Sequence, residues 1–255
     1  MNDHPELNFD QCYGIMAYWG ARRETPMALA DRFLSTIDAL SAIDPAFGDW
    51  YVGRTVGMKL ASLSGDAIID YIAEGVATHD DGTADPDSGY YFSATTGLMR
   101  RPRNFIVRVH GGKSYDWNYF SNTASINADP LSSGYEDFIC YRVFRSALLA
   151  LVSSWDPTWC GASPDKMREL SPRGTRDRAQ FGLEWMTYLS PLLAPLVTPP
   201  PTSINERTPE GGLLMAATEE RFDIANPMHM VVAADIEAAL APVNALPWPP
   251  EKALR

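Results

Sequence analysis

Cysteine is scarce in this chain: Cys12, Cys140 and Cys160 are the three in 255 residues, widely spaced and without a Cys-x-x-Cys pair. That excludes a disulfide framework and a cysteine zinc site, and it fits reduced thiols in a cytoplasmic protein. Histidine is nearly as sparse. His4, His79, His110 and His229 never fall at a metal-ligand spacing, so neither a metal nor another cofactor is expected. Cations are also short, with 21 Lys and Arg against 32 Asp and Glu and a formal net charge of −11. A field of that sign repels nucleic acid and anionic lipid and draws in a cationic partner. No apolar run approaches the ~20 residues that span a bilayer. The opening "MNDHPELNFDQ" lacks the basic and apolar regions of a secretory signal, so neither a membrane nor an export route is expected.

What is present is the composition of a globular protein, 45% hydrophobic and 21% charged, with length enough for a sizeable core. "CYGIMAYW" (12–19) reads as a strand. Thr25 is placed to cap a helix with Pro26 in its first position, and Leu29, Phe33, Ile37 and Leu40 form one apolar stripe that should stop near Asp44-Pro45. A second helix is expected over 65–77, then a turn-rich loop "THDDGTADPDSG" (78–89). Three strands should follow, "YYFSATTGL" (90–98), "NFIVRVHGG" (104–112) and "WNYFSNTASIN" (117–127), at hairpin-compatible spacing. The run 135–155, apolar on most sides, reads as a central helix covered by sheet. Residues 191–209 are proline-dense and read as an extended surface crossover. One more strand, "GGLLMAATE", and a closing helix capped by Asn226, with Val232, Ile236 and Leu240 inward, complete the chain. Strands on both sides of a long helix, without regular alternation, give an α+β class with an antiparallel or mixed sheet. The organisation expected is a single domain over 1–255, with lobes 1–130 and 131–255 as the alternative division.

Tests for catalytic motifs return little. "VHGGKS" (109–114) resembles the end of a phosphate-binding loop, but Val107 stands where that loop needs its first glycine, and an aromatic segment follows where a helix is required. A glycine turn between strands is the better reading. The same "HGG" resembles an oxyanion-hole segment, but no Gly-x-Ser-x-Gly elbow exists to supply the nucleophile. "SPDKMREL" (163–170) lacks the separated Glu-x-Lys of a metal-dependent nuclease. Nothing singles out a carboxylate pair among the 32 acids, and no catalytic residue is assigned.

"YWGARRETP" (18–26) gathers Trp19, Arg22, Arg23 and Glu24 where a strand gives way to a helix. Glutamate at a helix N-terminus, paired with arginine, can brace such a turn; the alternative is that Arg22 or Arg23 holds an anion or partner. The longer stretch "GIMAYWGARRETPMALADRFLSTIDALSAIDPAFGDWY" (14–51) resembles the amino-terminal signature of the bacterial immunity protein 52 family. Further echoes are "SWDPTWCG" (154–161), "GLEWMTYLS" (182–190) and "GGLLMAATEERFDIANPMH" (211–229), in order along most of the chain. The resemblance implies an antitoxin, not an enzyme. Its partner would be a polymorphic toxin, delivered by contact-dependent or type VI secretion and often carrying a nuclease domain of restriction-endonuclease type. It also implies that Trp19, Arg22 and Glu24 support the fold.

An acidic protein suits the cationic cleft of a nuclease. The contact surface expected is the aspartate loop, Asp80, Asp81, Asp85 and Asp87, with Tyr90 and Tyr91 as aromatic anchors. A second patch is Asn205, Glu206 and Glu210 in the crossover. Two other functions stay open: a hydrolase using Asp or Glu without a recognised motif, and an adaptor or chaperone for a secreted effector. Oligomeric state is not fixed, with a monomer favoured.

Overall fold

The computed structural model describes residues 12–53, 57–96, 105–115, 122–128, 138–170, 181–247 and 254. Strand β1 (Tyr13–Trp19) leads into helix α1 (Pro26–Ser41). The Thr25 side chain accepts the Ala28 N–H and Pro26 occupies the first helical position, so the helix starts where its capping residues dictate. Leu29, Phe33, Ile37 and Leu40 are all buried, on the stripe their spacing predicts. Each contributes roughly 1.5–3 kcal/mol relative to exposure.

Two short strands, β2 (Tyr51–Val52) and β3 (Met58–Lys59), precede α2 (Gly65–Ala73). Strands β4 (Tyr90–Thr95), β5 (Phe105–Gly111) and β6 (Asn122–Ala128) then form an antiparallel meander. Helix α3 (Tyr141–Trp155) returns the chain to β7 (Trp159–Pro164), α4 (Met167–Leu170) and β8 (Met186–Leu189). Strands β9 (Ile204–Arg207) and β10 (Leu213–Ala216) close the sheet, and α5 (Pro227–Ala239) and α6 (Ala241–Asn244) follow. Among the described residues ten strands make one sheet in the order β3-β2-β4-β5-β6-β1-β7-β8-β10-β9, with every described pairing antiparallel. The architecture is α+β.

Alternation along the strands decides which residues face the helices. Tyr13 packs edge-on against Phe144 of α3 at 6.0 Å, Phe33 of α1 against Phe92 of β4 at 5.3 Å, and Trp19 stacks on Trp155 at 5.3 Å. The core lies between these strands and α1 and α3. A void of about 10 Å³ beneath α3 is lined by apolar side chains such as Phe47, Phe105 and Val143. Among the described residues no helix is long and apolar enough to cross a membrane. Cys12, Cys140 and Cys160 form no disulfide with one another, and Cys12 and Cys160 are buried.

Several boundaries depart from the sequence reading. The second helix stops at Ala73 rather than 77. Gly75 lies so close to β4 that a Cβ there would sit 2.3 Å from the Tyr91 carbonyl oxygen. Its own carbonyl accepts the Tyr91 N–H at 2.8 Å, and Val76 bridges Tyr90, so the chain leaves the helix to cover the β4 edge. The Tyr71 hydroxyl donates to the Ser93 carbonyl (2.8 Å) on the same edge. The proline-dense crossover contains a short 3-10 turn (Ala194–Leu196) and strand β9. Periodicity could not show that strand because pairing with β10, not alternation, creates it. The inward stripe of α5 is His229, Ala233 and Ile236, continued by Leu240, with Val232 half-buried at its margin. Segments 1–11, 97–104, 117–121 and 135–137, which carry parts of the sequence readings, lie outside the described residues.

Candidate partner-binding surface

Trp19, Arg22 and Glu24 form one assembly with α1 and the end of α3. Arg22 donates from Nη2 to the Trp155 carbonyl at 2.9 Å, and Arg32 donates from Nη1 to the Ser154 carbonyl at 2.7 Å. These carbonyls end α3, where the helix dipole favours positive charge. Glu24, 7% exposed, lies between the two cations: Arg32 Nε is 2.6 Å from Oε1 and Arg22 Nε is 3.2 Å from Oε2. The second contact is not aligned as a hydrogen bond, so that arm acts through charge. The Arg22 guanidinium also stands 5.1 Å from the centre of the Trp19 ring, and Trp155 Nε1 donates to Thr36 at 2.9 Å. Burial lowers the Arg22 pKa, with Glu24 opposing the shift. The functional groups of Arg22 and Glu24 are thus engaged within the chain. Arg23 points outward and meets Asp87 at 2.9 Å.

The Gly112-Lys113 turn is part of the same construction. The Arg22 N–H donates to the Lys113 carbonyl (2.8 Å), and the Lys113 N–H donates to Asn122 Oδ1 (2.9 Å). Gly112 has φ 83°, and a Cβ there would lie 3.1 Å from the Tyr90 ring and 3.2 Å from the Glu24 carbonyl oxygen. Lys113 is itself buried, and burial lowers its pKa. The phosphate-loop resemblance therefore dissolves into a tight turn pressed against the brace.

The aspartate loop beside it is built, not slack. Thr78 bridges Ala84, and Gly82, at φ 83°, makes the turn between them. Asp81 accepts the Thr83 hydroxyl (2.6 Å) and N–H (2.9 Å), and these bonds lower its pKa, the hydroxyl most. Asp85 caps the turn Pro86–Ser88 by accepting the Ser88 N–H (3.3 Å), and it also accepts the Ser88 hydroxyl (2.5 Å), the bond that most lowers its pKa. Asp87 accepts from Ser114 Oγ (2.9 Å) and pairs with Arg23. Among the described residues Asp80 makes no side-chain hydrogen bond. Three of the four expected contact residues therefore shape the loop, while Asp81 and Asp87 remain exposed and charged.

The two tyrosines separate by strand alternation. Tyr90 faces the core and is 9% exposed; Tyr91, on the opposite face, is 56% exposed. Cross-strand register places Tyr91, His110, Thr123, Tyr18 and Trp159 in one row across β4, β5, β6, β1 and β7. Tyr91 meets His110 edge-on at 6.3 Å, and Tyr18 stacks on Trp159 at 4.6 Å. This row was not read from the sequence, because it depends on the register of five strands. The second patch is divided too. Glu206 turns towards α3, where Arg145 Nε donates to it at 2.7 Å, while Asn205 and Glu210 are exposed.

His110 ties the loop to the sheet through Nε2, 3.1 Å from the Ser88 carbonyl oxygen. Burial lowers its pKa, the Ser88 bond opposes this, and Lys113 adds to it. The unfolded chain, with an ordinary value near ~6.5, takes up this proton first as pH falls. The His110 contribution to stability is thus complete above about pH 6.5 and is lost as pH falls through the lower folded value. Urea midpoints measured from pH 7.5 to 5 should drop on the acid side, and His110→Gln should flatten part of that limb; an unchanged slope would refute the assignment.

No group of three or more His, Cys, Asp or Glu side chains able to hold a metal occurs among the described residues. Comparison with known structures finds the Pseudomonas aeruginosa T6SS protein PA0821, with a TM-score of 0.52, 11% identity, and coverage of 89% of this chain and 73% of that one, a likeness of fold. The duplicated taurocyamine kinase of Schistosoma mansoni also matches, at 10% identity over 90% of this chain and 32% of that one, but its TM-score of 0.23 carries no argument. No curated protein matches in sequence. The family model described as immunity protein 52 matches residues 11–246, nearly the whole described fold, and the chain belongs to that family.

Proposed function

We propose that this immunity protein neutralises a toxin delivered by a type VI secretion system, and that the toxin is a nuclease of restriction-endonuclease type whose cationic cleft it covers. One observation carries the reading. The chain has a net charge of −11, and its aspartate loop is held in shape by its own hydrogen bonds while Asp80, Asp81 and Asp87 stay exposed. A fixed array of carboxylates loses little freedom on binding and steers a cationic partner from a distance. The T6SS label of the similarly folded protein supports the delivery route. Tyr91, beside the loop, supplies an aromatic anchor; Tyr90 belongs to the core and is withdrawn from the surface. The protein would act by occlusion in the cytoplasm, without catalysis or cofactor.

The test mixes the purified protein with the catalytic domain of its cognate toxin and follows association, dissociation and DNA cleavage together. Asp80→Lys leaves the loop's hydrogen bonds intact and should slow association about threefold to tenfold at low salt, with the difference fading near 0.5 M salt. Tyr91→Ala should speed dissociation by roughly tenfold or more if it is an anchor. Unchanged rates in both variants would remove the loop from the interface. Tight binding with undiminished cleavage would instead identify an adaptor.

A further inference from the structure

The solvent side of α5 breaks the usual pattern of a surface helix. With His229, Ala233 and Ile236 inward, the opposite stripe is Pro227, Val231, Ala234 and Ala238, all exposed, with Met228 at its edge. Met228 is 67% and Val231 54% exposed; the four stripe positions carry no charge, and Asp235, one turn beyond Val231, shares the edge with Met228. A surface helix ordinarily turns charged and polar residues to water. Here charge stands at the margins instead. Over residues 217–240 the acids Glu219, Glu220, Asp223, Asp235 and Glu237 face one base, Arg221. Glu220 lies 3.3 Å from His229 Nε2, and Asp235 accepts the Thr202 hydroxyl at 2.9 Å, which fixes the margin at both ends.

We infer that this face of α5 is a docking surface for a basic protein partner, whose apolar groove receives Met228 and Val231 while its cations meet the acidic margin. An apolar centre within a polar rim is the anatomy of a protein interface. A second copy of this chain would bring five acids against five, so the charge selects an unlike, cationic partner over self-association. The inference rests on the immunity reading, which supplies that partner as the cognate toxin. It extends the reading because α5 packs against β10, six strand positions from β4 and the aspartate loop. At ~4.8 Å per strand that is roughly 30 Å, far enough for the two patches to contribute independently. Each patch pairs steering charge with an apolar or aromatic anchor: the aspartate loop with Tyr91, and the acidic margin of α5 with Met228 and Val231.

The experiment uses the full chain and the purified catalytic domain of the cognate toxin, with dissociation followed by biolayer interferometry. Met228→Ser/Val231→Ser, at exposed positions that should leave the thermal midpoint within a few degrees, is expected to speed dissociation at least tenfold and change association less than twofold. Glu219→Lys should slow association in a salt-dependent way, and its effect should multiply with that of Asp80→Lys. A wild-type protein that fails to bind the toxin overturns the immunity reading and this inference with it. A wild-type protein that binds, with the serine variant dissociating within twofold of it, overturns the α5 surface alone. A dimer in sedimentation that the serine substitutions dissolve would assign the face to a second copy and refute the inference.

Discussion

Glu24→Ala should destabilise the protein by about 3 kcal/mol, the lower end of the range for breaking a buried ion pair by removing one partner. The reason is what remains. Arg22 and Arg32 would still converge on the carbonyls of Ser154 and Trp155, now with no carboxylate between them. The α3 dipole compensates a fraction of that charge, and partial solvent access to both guanidinium groups keeps the loss at the low end. Two elements should loosen together: the start of α1, and the end of α3 that Trp155 anchors through Trp19 and Thr36. Urea unfolding measures this directly, as a lower midpoint at unchanged slope. Glu24→Gln, which keeps an acceptor for Arg32, should recover part of the loss. A Glu24→Ala protein within 1 kcal/mol of wild type would show that the cluster does not brace the fold. Toxin binding under conditions where the variant remains folded separates the alternative: unchanged kinetics exclude a partner-binding role for this carboxylate.

The brace was legible in sequence because its parts are local. Trp19, Arg22, Glu24 and the Thr25-Pro26 start of α1 lie within eight residues, and helix-start chemistry places them. The C-terminal half of the same cluster was not legible. Nothing in 18–26 announces that Arg22 and Arg32 will complete the last turn of a helix more than a hundred residues away. The same division runs through the partner surface. The aspartate loop was visible from composition, yet which aspartates hold turns and which face water depends on Thr83, Ser88 and Ser114. Tyr90 and Tyr91, adjacent in sequence, part company because strand alternation sends one inward. Helix α5 was placed correctly by its cap, Asn226-Pro227. Its apolar outer face went unread because Pro227, Val231, Ala234 and Ala238 are nearly as apolar as the inward stripe, so the spacing that placed Val232, Ile236 and Leu240 inward gave no sign of a second apolar side.

Gly89→Ala is expected to be the most damaging change at the aspartate loop, although it alters no charge. Gly89 sits at φ 86° and ψ −164°, a region essentially restricted to glycine, where an L side chain costs of order 1–3 kcal/mol. It is also pressed against the neighbouring strand, since a Cβ would lie 2.6 Å from the Gly111 carbonyl oxygen and 3.1 Å from the Lys113 nitrogen. Backbone cannot yield as a side chain does, so the loop must lift. Lifting it strains the Ala77 N–H to Gly89 carbonyl bond (2.9 Å) and the Ser88–His110 contact. The sum should be about 3–4 kcal/mol, strain and displacement together. Gly82 supplies the control. It has φ 83° but nothing within 4 Å of its missing Cβ, so Gly82→Ala should cost only the ~1–2 kcal/mol of the left-handed backbone. The difference between the two variants, read from urea midpoints, isolates the contact with β5. If the loop carries the steering charges, Gly89→Ala should also slow toxin capture where the protein is still folded, while Gly82→Ala slows it less. Equal stability losses in the two variants would mean that the loop is not seated on β5 as described. A large loss at Gly89 with undisturbed capture would leave the loop structural and move the steering charge elsewhere on the acidic surface.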